Sequence, residues 1–276
     1  MSLPVAFIDG IALWAPNLPS WQEARTALRG EAGPLSPPLR RPAAQGLPPA
    51  ERRRAPDTVV LALEVAAQAV AQAGVDAATL LSVFTSAQGD LGITDHVCSA
   101  LARVPLVVSP TKFLNSVHNA ASGCWTMGAG CMQPSTAVSA HLHSFAAGLL
   151  EALAQCAAEA RPVLLVGYDI AACGALASIT PSRGLLGVAL VLAPERSAHS
   201  VASLAWALRP GQSAPVPLRS PVAQGLRDNA MADSLPLFEA LAQGGNADLA
   251  LPLSARLSLQ IGLAALEGQR SYSAHE

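Results

Sequence analysis

Two short runs constrain this chain most, because nothing charged or hydrogen-bonding interrupts them: Val163-Leu164-Leu165-Val166, within a strand reading from Pro162 to Tyr168, and Leu185 to Leu192. A strand with one wet face alternates apolar and polar residues. Uninterrupted apolar strands therefore demand cover on both faces of their sheet. The neighbouring sequence supplies that cover. Ser144 to Glu159 reads as a strongly hydrophobic helix. From Asp57 an amphipathic helix runs through Leu61, Val65, Ala69 and Ala73 and closes at Gly74.

The remaining segments fit the same alternation. Val5-Ala6-Phe7-Ile8 reads as a short buried strand ending at Asp9-Gly10. Ser20 caps a helix to about Leu28, with Glu23 completing a capping box. Gly33 to Pro49 is a Pro- and Gly-rich surface excursion. Leu81 to Ser86 reads as a strand, Thr94 to Arg103 as a helix, Phe113 to Gly130 as partly helical, and Thr136 to Ala140 as a brief strand. The expected class is α/β, with helices layered over both faces of a sheet. After Pro194 the pattern weakens. Pro210 to Pro221 reads as an irregular linker, Ser234 to Ala242 as a helix, Ala247 to Leu253 as a strand, and Leu257 to Leu266 as an apolar element of unassigned type.

Composition excludes several functions. Seventeen basic and nineteen acidic residues leave a formal charge of −2, which gives no general attraction to nucleic acid or anionic membranes. Arg52-Arg53-Arg54 is the only dense basic cluster and reads as a solvated helix start. Mean hydropathy is high, +0.36, so a membrane span has to be considered. The longest uncharged stretch, from Lys112 to Glu151, is broken by His118, Asn119, Gln133, Pro134, His141 and His143, so no transmembrane segment is expected. A buried protein–protein interface accounts for so little charge. The start of the chain lacks the charged region of a secretory signal. Five unclustered cysteines form no C-x-x-C pair, which points away from a disulfide framework and towards the cytoplasm. Neither a metal nor any other cofactor is expected.

From Ser109 the chain resembles β-ketoacyl synthases through Ser109-Pro110, Asn119, Gly123, Gly130, Pro134-Ser135 and Val138-Ser139, followed by a helix containing Glu151-Ala152. Ser109-Pro110-Thr111-Lys112-Phe113, Ser116-Val117-His118-Asn119-Ala120 and Leu165-Val166-Gly167-Tyr168-Asp169 are closer still to the β-ketoacyl synthase-like N-terminal domain family. These are truncated, chain-length-factor-like ketosynthase homologues of aryl polyene and polyketide systems. The resemblance implies a thiolase-like layered fold with a complete first half (residues 1–195). A truncated second half (196–276) would pack on it.

In the family, a strand of this kind ends in Thr-Ala-Cys-x-Ser, and the cysteine opening the next helix carries the acyl group. In the matched frame that position is Leu142, which has no lone pair to attack a thioester. The family's two later polar catalytic residues are also missing, since only His199 and His275 follow His143. The resemblance therefore implies a non-catalytic partner of an intact ketosynthase subunit, forming a heterodimer that meets acyl carrier protein only indirectly. Such a partner would stabilise the dimer and shape the acyl tunnel during polyene or fatty acyl elongation. Lys112, Phe113, Asn119, Cys124, Trp125, Met127, Thr136, Val138, His141 and His143 are the candidate tunnel and interface residues. Two alternatives stand beside it. One is a stand-alone acyltransferase or thioesterase using Cys124 or Cys131 with a nearby histidine, and the other is a homodimeric scaffold for carrier-protein docking.

Overall fold

A computed structural model describes residues 3–31, 37–44, 46–103 and 108–266. It contains strands β1 (Val5–Trp14), β2 (Leu81–Thr85), β3 (Ser135–Val138), β4 (Val163–Asp169), β5 (Leu186–Ala193), β6 (Ala202–Pro210), β7 (Ala247–Ser254) and β8 (Leu257–Ala265). Its helices are α1 (Trp21–Leu28), α2 (Pro49–Arg54), α3 (Asp57–Ala73), α4 (Leu91–Arg103), α5 (Pro110–Asn115), α6 (Ala120–Gly128), α7 (Ser144–Glu159), α8 (Pro221–Leu226) and α9 (Leu235–Gln243).

The eight strands form one mixed sheet in the order β3-β2-β4-β5-β1-β6-β8-β7. β2 runs parallel to both β3 and β4, and every other pairing is antiparallel. Every residue of β2, β4 and β5 is buried, as their apolar composition requires. On one face α3 and α6 close a core containing Trp14, Phe84, Trp125 and Tyr168. On the other face lie α1, α7, α8 and α9, and their core continues into Leu249, Leu259 and Ile261 of β7 and β8. The sheet therefore folds over α7, which touches β2 and β4 on one side and β7 on the other.

Local signals explain the helix ends. The Ser20 hydroxyl accepts from the Glu23 N–H at 3.3 Å, the first half of the expected capping box. Gly74 ends α3 in the left-handed conformation (φ 64°). Three readings need correction. β1 extends past Asp9-Gly10 to Trp14 by taking a bulge between Ile8 and Gly10, where Gly10 comes so close to α3 that a Cβ would sit 2.1 Å from the Ala69 carbonyl oxygen. Arg52 to Arg54 lie in the last turn of α2 rather than at a helix start, where cations complement the helix dipole. The weak region after Pro194 holds a nine-residue strand, β6, and Leu257 to Ala265 is its antiparallel partner β8. Those strands join the same sheet through β1, where Val5 to Ile8 pair with Ala205 to Ala202. His275 and parts of the Gly33 to Pro49 excursion lie outside the described residues.

Candidate functional site

The strand-to-helix turn between β3 and α7 is a 3-10 turn, His141–His143. His141 takes the left-handed conformation (φ 53°), uncommon for a residue with a side chain. Ser144 stabilises the turn by donating to the His141 carbonyl at 2.7 Å while accepting from the Ala140 N–H at 3.0 Å. The apex of the turn is thus His141, one residue before Leu142. Both are exposed, Leu142 at 58%. Neither position carries a thiol.

A nucleophile at such a turn is activated by the free N–H groups opening the helix. Here two of those donors are engaged. The Asp233 Oδ2 accepts from the N–H groups of Phe145 (3.1 Å) and Ala146 (3.4 Å). Asp233 comes from a second 3-10 turn, Ala232–Ser234, just before α9. Its Oδ1 is buried and meets no hydrogen-bonding partner among the described residues, and the same holds for His143 Nδ1. Burial pushes the Asp233 carboxyl up to about 8, against the backbone hydrogen bonds from Ala146 and Phe145 and with a smaller further push from Asp169. A carboxyl group thus occupies the helix mouth that a thiolate would need.

Beside this turn lies a cavity of about 420 Å³, whose lining includes Leu142, Pro181, Arg183, Arg227, Asn229 and Asp233. A polar network braces it. The Asp169 carboxylate accepts from Ser86 Oγ (2.7 Å) and the Ala87 N–H (2.9 Å), and burial raises it to about 6. The Asn229 side-chain amide donates to the Asp169 and Arg183 carbonyls. His118 Nε2 lies 2.9 Å from the Ser86 carbonyl oxygen, tying the α5–α6 junction to the end of β2. Asn229 and Asp233 carry no local sequence signal, because each acts on a segment distant in the chain.

The expected tunnel and interface residues fall into three groups. Lys112 and Phe113 on α5, Asn119 at the start of α6, Met127 on α6, and His141 are exposed, Phe113 at 58% and Met127 at 77%. Thr136 and Val138 sit half-buried on β3, which lies at the sheet edge, and His143 is likewise half-buried. Trp125 does not join the open face. It is only 7% exposed and packs in the core between α6 and α3, its indole Nε1 without a partner among the described residues. Leu101, Leu114, Val117, Met132, Leu176 and Ile179 are further large apolar side chains exposed on the elements around β3 and α4 to α6.

The two cysteines considered as nucleophiles lack the environment for it. Cys124 is half-buried against a cavity of about 530 Å³ with Met127, Asn115 and Glu51. Burial, and secondarily the Glu51 charge, raise its thiol, the reverse of activation. Cys131 is 4% exposed and its thiol faces the Leu80 carbonyl oxygen at 3.3 Å. Among the described residues, no group of three or more His, Cys, Asp and Glu could hold a metal ion, and no helix is long and apolar enough to cross a membrane.

Residues 21–252 match the family model for the β-ketoacyl synthase N-terminal domain. No curated protein matches the chain. Among solved structures, the chain is similar to the ketosynthase (ApeO) in complex with its chain length factor (ApeC) from Xenorhabdus doucetiae. That likeness has 23% identity and a TM-score of 0.66, covering 96% of this chain and 99% of that one. It is also similar to the ishigamide ketosynthase/chain length factor, at 16% identity and a TM-score of 0.68, covering 95% and 99% of the two chains. A third likeness is to a type II polyketide synthase acyl-carrier protein in complex with its ketosynthase (AntDE:AntF). It has 11% identity and a TM-score of 0.72, covering 96% and 100%. These likenesses establish a thiolase-like ketosynthase fold.

Proposed function

This chain belongs to the β-ketoacyl synthase N-terminal-domain family, and from that premise we propose that it is a non-catalytic, chain-length-factor-like partner of an intact β-ketoacyl synthase. The observation that carries the reading is the helix mouth ahead of α7, where an aliphatic Leu142 stands at the thiol position and the buried Asp233 carboxyl occupies N–H donors that a thiolate would use. Chemistry then has to come from another subunit. The edge strand β3 and the exposed apolar side chains around it offer that subunit a docking face. In this reading Lys112, Phe113 and Met127 contribute to the shared tunnel or interface, Thr136 and Val138 pair across it, and Trp125 supports them from behind. The partner acts on carrier-protein thioesters, extending a polyene or fatty acyl chain in the cytoplasm, and this chain limits the product length. Residues 1–195 supply the ketosynthase-like half, and 196–276 are the reduced second half.

Co-expression with an intact β-ketoacyl synthase tests the proposal. A stable 1:1 complex is expected, and Leu114→Asp should weaken it. Leu114 is 70% exposed, so losing its burial costs about 1–2 kcal/mol at the interface, roughly ten-fold in affinity. A well-behaved homodimer that ignores the ketosynthase would instead favour a carrier-docking scaffold. The raised Cys124 thiol and the buried Cys131 weigh against a cysteine-dependent acyltransferase.

A further inference from the structure

We propose that the cleft between α1 and the ends of α9 and β8 binds an anionic amphiphile, a carboxylate or phosphate head group on a short apolar chain. The cleft has a volume of about 450 Å³, within the range that takes small ligands. Its lip carries Arg25 and Arg29, and its inner wall includes Ile11, Trp21, Val201 and Leu263. Guanidinium groups beside the half-buried Trp21 and Val201, in a cleft whose lining is otherwise mixed polar and apolar, supply the two halves of an amphiphile's complement. This site lies apart from the α7 helix mouth, and the inference does not depend on the chain pairing with a synthase.

The charge arrangement singles the cleft out. Arg25 in the last turn of α1 and Arg29 at its C-cap are four residues apart, a spacing at which like charges repel. Among the described residues, neither has a carboxylate within ion-pair distance, although Arg41, Arg183 and Arg227 each do. Its partial burial and then the neighbouring Arg29 charge make the largely exposed Arg25 guanidinium easier to deprotonate, and only Glu31 acts in the other direction. An incoming anion relieves that repulsion, and a guanidinium fork matches a carboxylate or phosphate in geometry. Arg29 is held in place because its Nε donates to the Ala242 carbonyl on α9, which fixes one side of the lip. Gln72 adds an amide to the lining, its Oε1 already accepting from the Ile11 N–H at 2.9 Å. The inner wall is also rigid, since the Trp21 ring meets Phe238 edge-on at 5.9 Å.

Isothermal titration of the full chain with octanoate, octyl phosphate, octanol and inorganic phosphate tests this. Either or both amphiphiles should bind, identifying the head group as carboxylate, phosphate or both. Octanol, lacking charge, and inorganic phosphate, lacking a chain, should each bind about ten-fold more weakly or not at all. Arg25→Gln should weaken the amphiphile by about ten-fold while leaving the unfolding midpoint in place, because Arg25 lies exposed at the lip. Ala265→Phe, at the exposed end of β8 in the cleft wall, should block binding by filling the space. Equal binding of octanol or of inorganic phosphate would overturn the proposal. So would unchanged affinity in both variants, or no binding of either amphiphile.

Discussion

Gly148→Ala sets two physical effects against each other, and the structure decides the sign. Gly148 is a buried residue of α7, where replacing glycine by alanine ordinarily stabilises a helix by about 1 kcal/mol. In this fold a Cβ at residue 148 would lie 2.8 Å from both Cβ and Cγ2 of Thr85 and 3.2 Å from its Oγ1. Thr85 cannot turn aside freely. It is fully buried, and its hydroxyl donates to the Ser144 carbonyl at 2.7 Å. Restoring ordinary van der Waals contact requires α7 to back away from β2 by more than half an ångström, loosening packing along its length. Overpacking of this kind costs about 1–3 kcal/mol. The upper end applies where both groups sit close to backbone, and subtracting the helix gain leaves a net loss of about 2 kcal/mol. Urea unfolding followed by circular dichroism measures it, with an accompanying fall in midpoint temperature of roughly 3–4 °C. A stabilised Gly148→Ala protein would refute the reasoning, because it would mean that α7 does not press on Thr85.

Further outcomes follow from the helix mouth. Because burial raises the Asp233 carboxyl from 3.8 to about 8, the unfolded chain ionises first as pH rises. The group's stabilising contribution is then complete below pH 4 and lost as pH climbs through about 8. Asp233→Asn removes that titration. The melting temperature of the variant should gain on that of the parent between pH 5 and 8 and run parallel above, and a constant difference across that range would contradict the assignment. Leu142→Cys should restore neither condensation nor a fast-reacting thiol, since Asp233 holds the Phe145 and Ala146 N–H groups. Rapid iodoacetamide labelling of that cysteine at neutral pH would count against this. Native Cys124 should also label slowly, its thiol being raised by burial.

Much of the layered architecture was written in local pattern. The apolar runs at Val163 to Val166 and Leu185 to Leu192 required strands covered on both faces, and they are the buried strands β4 and β5. Ser144 to Glu159, Asp57 to Ala73 and the Ser20 cap kept their sequence-derived bounds, because helix periodicity and capping act within a few residues. The family resemblance carried by Ser109 to Asp169 likewise led to the matched family model. What local pattern lacks is the identity of a distant partner. β6 carries a weak alternation and became legible only through its nine-residue register with β8. Trp125 and Met127 are two residues apart and equally apolar, yet α3 buries the first while the second stays exposed. Asp233 reaches α7 across 88 residues of chain, a contact that no spacing rule encodes. Local pattern suffices to show that the runs around Val163 and Leu185 need cover and that no thiol stands between β3 and α7. Which side chains share that site, and which faces stay open, depends on packing between remote elements, whose partners no stretch of adjacent residues encodes.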